Sequence, residues 1–256
     1  MSPNHFICPY AGNKRNEFKH LQPFINIDEY DIIIEPFCGS SAISFNLWKN
    51  GNKDKIYILN DNDITIYELY TMMKKEEPDD ILTEITKIRN SIPDKEAFIK
   101  LYKSKDLNIY EKLYFKKFYQ LREGLYPSSY RPISPFNFTK EQLLFFEFIK
   151  SPNVIISNED WYDVFKKNEN SKKSLFIFDP PYLNSCNEFY GNLQNTYHNV
   201  YEFFSNNDIS IFQSKIFFLL ENNFIIQFLF KGKILYEYGK EYHMTKKKTN
   251  HIVISN

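Results

Sequence analysis

The sequence predicts an α/β fold with a largely parallel sheet and helices on both faces. The first observation is an apolar run at residues 175–178, which is followed at once by Asp179, two prolines and a tyrosine. The second is an isoleucine run at residues 32–34 that leads into a turn of small residues. Short unbroken apolar runs are typical of buried parallel strands. In open α/β sheets ligands bind at the carboxyl ends of such strands, so we expect the functional residues there.

The end of the strand at residues 175–178 predicts a rigid site made of hydrogen-bond acceptors. Pro180 and Pro181 fix their φ angles and remove two backbone donors, and neither readily continues a strand or a helix. Asp179 and the carbonyl of Pro180 therefore present only acceptors, with the ring of Tyr182 beside them. This arrangement suits the exocyclic amine of a flat base. The same residues are also compatible with a strand that simply ends in a proline turn with a ring packed over it.

The turn after residues 32–34 predicts contact with a ligand. Residues 37–41 are mostly small, and Gly39 lets a ligand approach the backbone. Ser40 or Ser41 is expected to cap the helix that follows. A strand, a small-residue turn and a helix are typical of the first unit of a nucleotide-binding sheet, in which helix amides face the polar end of the ligand.

The next apolar strand ends in acidic residues. Residues 55–59 lead into Asn60 and the acids Asp61 and Asp63. These acids lie about twenty residues beyond the glycine turn, which is the spacing of a carboxylate that accepts hydrogen bonds from ribose hydroxyls. Asp61 is the better candidate because it is nearer the strand end. Without the preceding turn, Asp61 would be interpreted as a solvated loop acid.

The amino-terminal segment combines a turn with two cations. Gly12 and Asn13 favour a turn, and Lys14 and Arg15 follow at the start of a helix predicted over residues 17–24. Backbone amides and a cation at such a position attract an anion. An ordinary basic loop has the same pattern, so this segment alone does not distinguish the two interpretations.

The remaining elements are predicted from apolar periodicity and turn residues. Further helices are expected at 64–73, over much of 79–122, and at 139–150, 161–165 and 209–221. Further strands are expected at 154–156, 223–230, 234–239 and 250–255. Residues 126–138 contain three prolines and several aromatic rings without periodicity, which indicates an extended surface loop or a plain connection between helices.

Length, charge and cysteine content narrow the class of protein. The chain has 256 residues, which suits one catalytic domain with a smaller lobe. Its net charge is zero, which argues mildly against a nucleic-acid binder held by bulk electrostatics. Cys8, Cys38 and Cys186 have neither disulfide nor metal-ligand spacing, so we expect no metal site. No apolar run reaches the roughly 20 residues of a membrane span, and the amino terminus has no signal pattern. These features predict a soluble, intracellular protein that is not attached to a membrane.

Two basic patches interrupt the neutral charge balance. Residues 97–123 contain seven cations and three acids, and residues 231–248 contain six lysines and two acids. Such patches are often only solvated faces. Next to a site that suits a flat base, two of them favour contacts with phosphate groups.

The order of the motifs resembles that of the Dam-like alpha group of adenine-specific DNA methyltransferases. The matching segments are Pro-Tyr-Ala-Gly-Asn-Lys at 9–14, Glu-Pro-Phe-Cys-Gly-Ser at 35–40, Leu-Asn-Asp at 59–61, Asp-Pro-Pro-Tyr at 179–182 and a closing strand at 248–256. The resemblance spans nearly the whole chain. The Asp-Pro-Pro-Tyr motif, by its position and order, is the most specific part of it.

This resemblance implies a fold, a reaction and partners. The fold would be a Rossmann-like class I methyltransferase sheet of seven strands with an inserted helical lobe. Residues 1–75 and 151–256 would form the catalytic domain, and residues 76–150 would form the target-recognition lobe. S-adenosylmethionine would be the cofactor and double-stranded DNA the partner, with methyl transfer to the exocyclic amine of a flipped adenine. A cognate restriction nuclease is a further partner that the family suggests.

The resemblance also implies roles for individual residues. Asp61 would hold the cofactor's ribose, Asp160 would face its adenine, and Tyr182 would stack on the flipped base. The implied cofactor-binding residues are Tyr10, Lys14, Glu35, Phe37, Gly39, Ser40, Asp61, Asp160 and Asp179. The implied catalytic residues are Asp179, Pro180, Pro181 and Tyr182. The expected nucleic-acid contacts are Lys116, Lys117, Arg122, Tyr130, Arg131, Lys246, Lys247 and Lys248.

Two residues depart from the family pattern. The glycine-rich turn usually ends in glycine, whereas Ser41 adds a Cβ atom that would crowd the cofactor. Asn13 replaces a second common glycine, a milder change because asparagine tolerates left-handed geometry. Two alternatives therefore stay open. One is a catalytically degenerate homologue that binds nucleic acid or protein, and the other is an enzyme whose acceptor is RNA or a protein amide.

Overall fold

The computed structural model describes residues 5–8, 14–104, 106–119, 137–182, 194–241 and 248–256. The strands in these ranges are β1 (Ile32–Glu35), β2 (Ile56–Asn60), β3 (Val154–Ser157), β4 (Ser174–Phe178), β5 (Lys215–Glu221), β6 (Ile234–Glu241) and β7 (Lys248–Ser255). The strands predicted at 32–34, 55–59, 154–156, 175–178, 234–239 and 250–255 are thereby confirmed.

Helices connect these strands. In the described ranges they are α1 (Phe18–Leu21), α2 (Ala42–Lys49), α3 (Ile64–Lys75), α4 (Pro78–Asn90), α5 (Lys95–Tyr102), α6 (Ile109–Tyr119), α7 (Lys140–Lys150), α8 (Trp161–Asn168), α9 (Gln194–Asn206) and α10 (Phe224–Leu229). None of these helices is both long and apolar enough to cross a lipid bilayer. The intracellular location stays a prediction.

The strands form one sheet in the order β3-β2-β1-β4-β5-β7-β6. The first five strands of this order are parallel, and β7 runs antiparallel to both β5 and β6. Strand β1 is an inner strand, because Ile34 is opposite Ile58 of β2 on one side and Phe176 of β4 on the other. The carboxyl ends of β1, β2 and β4 therefore lie side by side at one edge of the sheet. The predicted α/β fold with a largely parallel sheet is confirmed.

Alternate residues of the strands pack into two hydrophobic cores on opposite faces of the sheet. In β4, Leu175 and Ile177 join one core, whereas Phe176 and Phe178 join the other. Helices α2, α3 and α7 contribute to the first core, and α8, α9 and α10 contribute to the second. A strand that is buried on both faces needs apolar residues at every position, which explains the unbroken apolar runs in the sequence.

Two predicted elements near the carboxyl terminus are wrong. The helix predicted at 209–221 is a short 3-10 turn, Ile209–Ile211, followed by the buried strand β5. The strand predicted at 223–230 is helix α10, whose first turn is capped by Asn223, since its Oδ1 accepts a hydrogen bond from the Ile226 amide at 3.0 Å. Both segments are short and mostly apolar, and a short apolar run fits a strand and a helix equally well, so periodicity does not separate them.

Some of the helices between β2 and β3 pack on other helices, and α7 packs on the sheet. Helix α4 packs against α6, which in turn packs against α3. Helix α7, at the end of the predicted lobe, lies on the sheet: its Phe148 ring is 5.4 Å from the Tyr57 ring of β2, measured between centroids. The division of the chain after residues 75 and 150 stays a prediction. Most of the loop predicted at 126–138 falls outside the described residues.

Candidate functional site at the carboxyl edge of the sheet

The turn between β1 and α2 is fixed by hydrogen bonds from distant parts of the chain. The Gly39 amide donates to Asp61 Oδ2 at 2.8 Å, and the Gly39 carbonyl accepts from the Tyr70 hydroxyl at 2.6 Å. The Ser40 carbonyl accepts from His5 Nε2 at 2.8 Å. Burial lowers the pKa of His5 to about 4, so its ring is neutral at pH 7. The backbone of the turn is therefore held in place before any ligand arrives.

Ser41 takes the position of a helix cap without acting as one. Its backbone is left-handed, with φ of 49°, a conformation that costs a non-glycine residue about 1–2 kcal/mol. Its side chain is buried, and its hydroxyl donates to the Tyr70 hydroxyl at 3.0 Å. The helix amide of Ser44 instead donates to Glu35 Oε1 at 2.7 Å. The prediction that Ser40 or Ser41 caps α2 is confirmed in position, since Ser41 is the N-cap residue, but its side chain makes no capping bond and a carboxylate from β1 accepts from the helix amide instead.

Replacing Glu35 with glutamine is expected to change the pH dependence of stability. Burial raises the pKa of Glu35 from 4.5 to about 7. Its contribution to stability is fully present below about pH 4.5 and is lost as the pH rises through about 7. The glutamine variant retains an oxygen for the Ser44 amide but carries no charge. As the pH rises from about 4.5 to about 8, we expect the unfolding free energy of the variant to rise by about 3 kcal/mol relative to that of the wild type.

Urea denaturation of both proteins across this pH range measures the difference. The Glu147→Gln variant is the control, because Glu147 is exposed on α7. If plots of unfolding free energy against pH stay parallel for the Glu35→Gln variant and the wild type, the pKa of Glu35 is not raised in the folded protein.

Asn60 joins the ends of β1, β2 and β3. Its amide nitrogen donates to the carbonyls of Pro36 and Glu159, each at 3.0 Å. Its side-chain oxygen accepts from the Ser157 hydroxyl at 2.8 Å and from the Glu159 amide at 2.9 Å. Asn60 is fully buried, and these four bonds use both donors and both lone pairs of its side chain. It therefore has a structural role that its place in the sequence motif did not reveal.

The two acids expected to hold the cofactor lie at the ends of neighbouring strands. Asp61 follows β2, and its second oxygen accepts from the Asp63 amide at 2.9 Å. Asn158, which follows β3, donates to the Asp61 carbonyl at 2.7 Å. Asp160 is exposed and caps α8 by accepting from the Tyr162 amide at 2.8 Å. Asp61 is thus part of the glycine turn, whereas Asp160 has a structural partner of its own.

Asp179 follows β4 and forms a buried ion pair with Lys14 through its Oδ2 atom. Its Oδ1 atom is also buried, and it has no hydrogen-bond partner among the described residues. Burial raises the pKa of Asp179, while the nearby cations Lys14 and Lys240 act to lower it. Asp179 also acts electrostatically on Glu35 of the adjacent strand, as expected for neighbouring strand ends. The site therefore presents one carboxylate oxygen that is ready to accept a hydrogen bond.

Tyr182 lies between a cation and a histidine. The Lys14 ammonium is 5.2 Å from the centre of its ring, within the range of a cation–π contact. The His251 ring packs edge-on at 5.2 Å, and its Nδ1 atom is 3.4 Å from the Tyr182 hydroxyl. The Tyr201 hydroxyl donates to the carbonyl of Pro181 at 3.2 Å. These contacts hold the ring and the proline segment in one orientation.

For other predicted site residues the structure shows a packing contact or exposure only, and several lie outside the described residues. Phe37 is half-buried and packs on Trp161, with ring centroids 6.3 Å apart. Lys248 is exposed at the start of β7. The helix α6 includes Lys116 and Lys117, but the structure does not describe their side chains. The predicted residues outside the described ranges are Tyr10, Arg122, Tyr130, Arg131, Lys246 and Lys247.

Other residues of the site had no separate signal in the sequence. Tyr70 lies on the buried face of α3, where it looks like any other core residue. His5, Tyr201 and His251 are single residues far along the chain from the groups they contact. In the described part of the chain, no group of three or more His, Cys, Asp or Glu residues is placed to hold a metal ion.

Both a solved structure and a family model are similar to this chain. The structure is similar to an rRNA methyltransferase, aviRa from Streptomyces viridochromogenes, with a TM-score of 0.42 and 12% sequence identity. That match covers 100% of this chain and 88% of the other. A family model described as D12 class N6 adenine-specific DNA methyltransferase matches residues 10–249. The chain therefore belongs to the D12 class N6 adenine-specific DNA methyltransferase family, and S-adenosylmethionine is its cofactor.

Proposed function

We propose that this methyltransferase transfers a methyl group to N6 of an adenine that is flipped out of duplex DNA. The observation that carries the proposal is the buried Asp179 Oδ1 atom, which has no hydrogen-bond partner in the described part of the chain. A buried acceptor without a partner costs about 1–3 kcal/mol. The exocyclic amine of adenine would relieve that cost by donating a hydrogen bond.

The residues of the sheet edge fit S-adenosylmethionine. Gly39 has a positive φ of 46° in the turn after β1 and no Cβ atom, which would let a ligand approach the backbone there. Asp61 lies against this turn and would accept hydrogen bonds from the ribose hydroxyls. We assign the methionine end to the turn at residues 35–40, with Tyr10 and Lys14 as further lining residues. When bound, S-adenosylmethionine supplies an electrophilic methyl group.

The residues after β4 would orient the acceptor amine. Asp179 Oδ1 and the carbonyl of Pro180 would accept its two protons as hydrogen bonds, because neither proline offers a competing donor. These bonds direct the nitrogen lone pair at the methyl group and draw it out of conjugation with the ring. Tyr182 would stack on the base, since its ring is already fixed by Lys14 and His251. Holding the reacting atoms in line is the main source of rate in such a displacement.

The target adenine must leave the helix to reach this site. Flipping costs a few kcal/mol of unstacking and unpairing. Stacking on Tyr182 and phosphate contacts from the basic residues would offset that cost. We propose that α6, with Lys116 and Lys117, and the segment from residue 246 to Lys248 supply phosphate contacts, and that residues 76–150 form the recognition lobe.

Labelled methyl transfer to duplex DNA, RNA and protein in parallel tests the proposed acceptor. We expect label on N6 of adenine in unmethylated duplex DNA and on no other substrate. Label on RNA or on a protein amide alone would replace DNA as the acceptor. The absence of both transfer and calorimetric binding of S-adenosylmethionine would favour a degenerate homologue.

A further inference from the structure

One short turn at the amino terminus supplies two buried ion pairs. The amides of Glu17 and Phe18 donate to the Lys14 carbonyl at 3.0 and 3.2 Å, so these residues form a single rigid turn. Lys14 reaches Asp179 after β4, and Glu17 reaches Lys240 on β6. The exposed fractions of the side chains are 4% for Glu17 and 16% for Lys240. Neither pair is therefore a solvated surface contact.

The two pairs join distant strands at the same edge of the sheet. Strands β5 and β7 separate β4 from β6, so at about 4.8 Å per strand the span is roughly 14 Å. Lys240 is opposite Thr249, beyond the level at which His251 is opposite Glu221 at the end of β5. Lys240 thus lies at the carboxyl edge, where Asp179 also lies. The turn at residues 14–17 bridges this edge and is held at both ends by charge.

We propose that Glu17 and Lys240 form a positioning pair for methyl transfer. The pair fixes the turn, and the turn keeps the Lys14 ammonium on Asp179 Oδ2, so that Oδ1 faces the acceptor amine. Neither Glu17 nor Lys240 touches the reacting atoms. The inference rests on the proposed function, because it needs Asp179 to receive the amine.

The charges around Asp179 affect its pKa, and this effect can be measured in the pH dependence of activity. Lys14 and Lys240 lower the pKa of Asp179, whereas Glu17 raises it. Among the described residues, Glu35 and Tyr201 also interact electrostatically with this carboxylate. A protonated Asp179 accepts hydrogen bonds poorly, so activity should fall on the acid side. Loss of either Lys240 or Glu17 should free the turn and draw the Lys14 ammonium away from Asp179, so each loss should move that acid limb to higher pH. A purely electrostatic effect of losing Glu17 would instead move the limb to lower pH.

Three variants test the pair: Glu17→Gln, Lys240→Met and the double variant. We expect each single variant to lower kcat by about 10-fold or more with little change in the KM for S-adenosylmethionine, since a small misplacement near the reacting atoms has a large effect on rate. The double variant should be no slower than either single variant, because residues that act as one unit are not additive. The acid limbs of both single variants should move to higher pH, because both changes release Lys14 from Asp179.

The control is Lys166→Met, which removes the partner of another buried carboxylate, Glu169. Lys166 lies on α8, which packs in the second core, whereas Phe18, next to the turn, packs in the first. We expect it to lose stability but to keep the wild-type kcat and pH profile. A single variant with wild-type kcat and an unshifted acid limb would overturn the proposal. If a single variant does not fold, the double variant decides, because it buries no unpaired charge. A double variant with wild-type kcat and pH profile would overturn the proposal as well.

The wild-type protein separates this inference from the proposed function. If the wild type does not methylate adenine in duplex DNA, the proposed function itself fails. If the wild type does so and the pair variants behave like Lys166→Met, only the positioning role of the pair is wrong.

Discussion

Asp179→Ala is expected to reduce methyl transfer to adenine by about 10³-fold, the effect of removing one oriented hydrogen-bonding group from a reaction site. The variant loses the buried oxygen that would receive the amine and leaves the Lys14 ammonium without its carboxylate. Breaking a buried ion pair in this way also costs about 3 kcal/mol of stability. Methyl transfer at saturating S-adenosylmethionine measures the rate, and calorimetry measures cofactor binding, which we expect to be partly retained.

Two further variants make this prediction specific. Asp179→Asn keeps a side-chain carbonyl that accepts a hydrogen bond without charge, so we expect a smaller loss of roughly 10-fold. Asp163→Ala removes an exposed acid of α8 and should leave the rate unchanged. Wild-type activity in the Asp179→Ala variant would refute the role of this carboxylate.

Asn60→Ala is expected to destabilise the protein by about 4 kcal/mol. The change leaves two carbonyls, one amide and one hydroxyl at the strand ends without their partner. Each buried polar group that loses its partner costs about 1–3 kcal/mol, although water entering the site recovers part of this. Binding of S-adenosylmethionine should weaken too, because the turn that contains Gly39 begins at Pro36. Urea denaturation and calorimetry measure the two effects.

Asn153→Ala is the matched control for this prediction. Asn153 also joins neighbouring segments, since its side chain donates to the Lys53 carbonyl at 3.1 Å, but this bond is exposed. We expect a loss of less than about 1 kcal/mol for this variant. Equal losses for Asn60→Ala and Asn153→Ala would show that Asn60 does not hold the strand ends together.

The parts of the fold that depend on local pattern could be predicted from the sequence. Strand β4 with its Asp-Pro-Pro-Tyr end, and β1 with its glycine turn, are each defined by neighbouring residues. Prediction was wrong between residues 209 and 230, where β5 contains a continuous apolar run and α10 is apolar except for Gln227. Strand β5 is buried, whereas Phe224 and Phe228 of α10 are exposed, and burial is a property of the whole fold.

Much of the candidate site depends on contacts between distant residues. Tyr70 bonds to Gly39, His5 bonds to Ser40, and Lys240 pairs with Glu17, and none of these pairs has a local spacing rule. Ser41 looked like a residue that would crowd the cofactor, because its left-handed backbone and its bond to Tyr70 cannot be read from a motif. The motifs therefore indicated where the site lies, whereas the contacts that hold it required the structure.

The most direct measurement is a crystal structure of the protein with S-adenosylhomocysteine and a DNA duplex that contains the target adenine. We expect the adenine outside the helix, its N6 atom about 3 Å from Asp179 Oδ1, and the Tyr182 ring parallel to the base. We expect the cofactor against the turn at Gly39, with its ribose on Asp61. An adenine that remains stacked in the duplex, or a cofactor bound away from the ends of β1 and β4, would contradict the central role of Asp179.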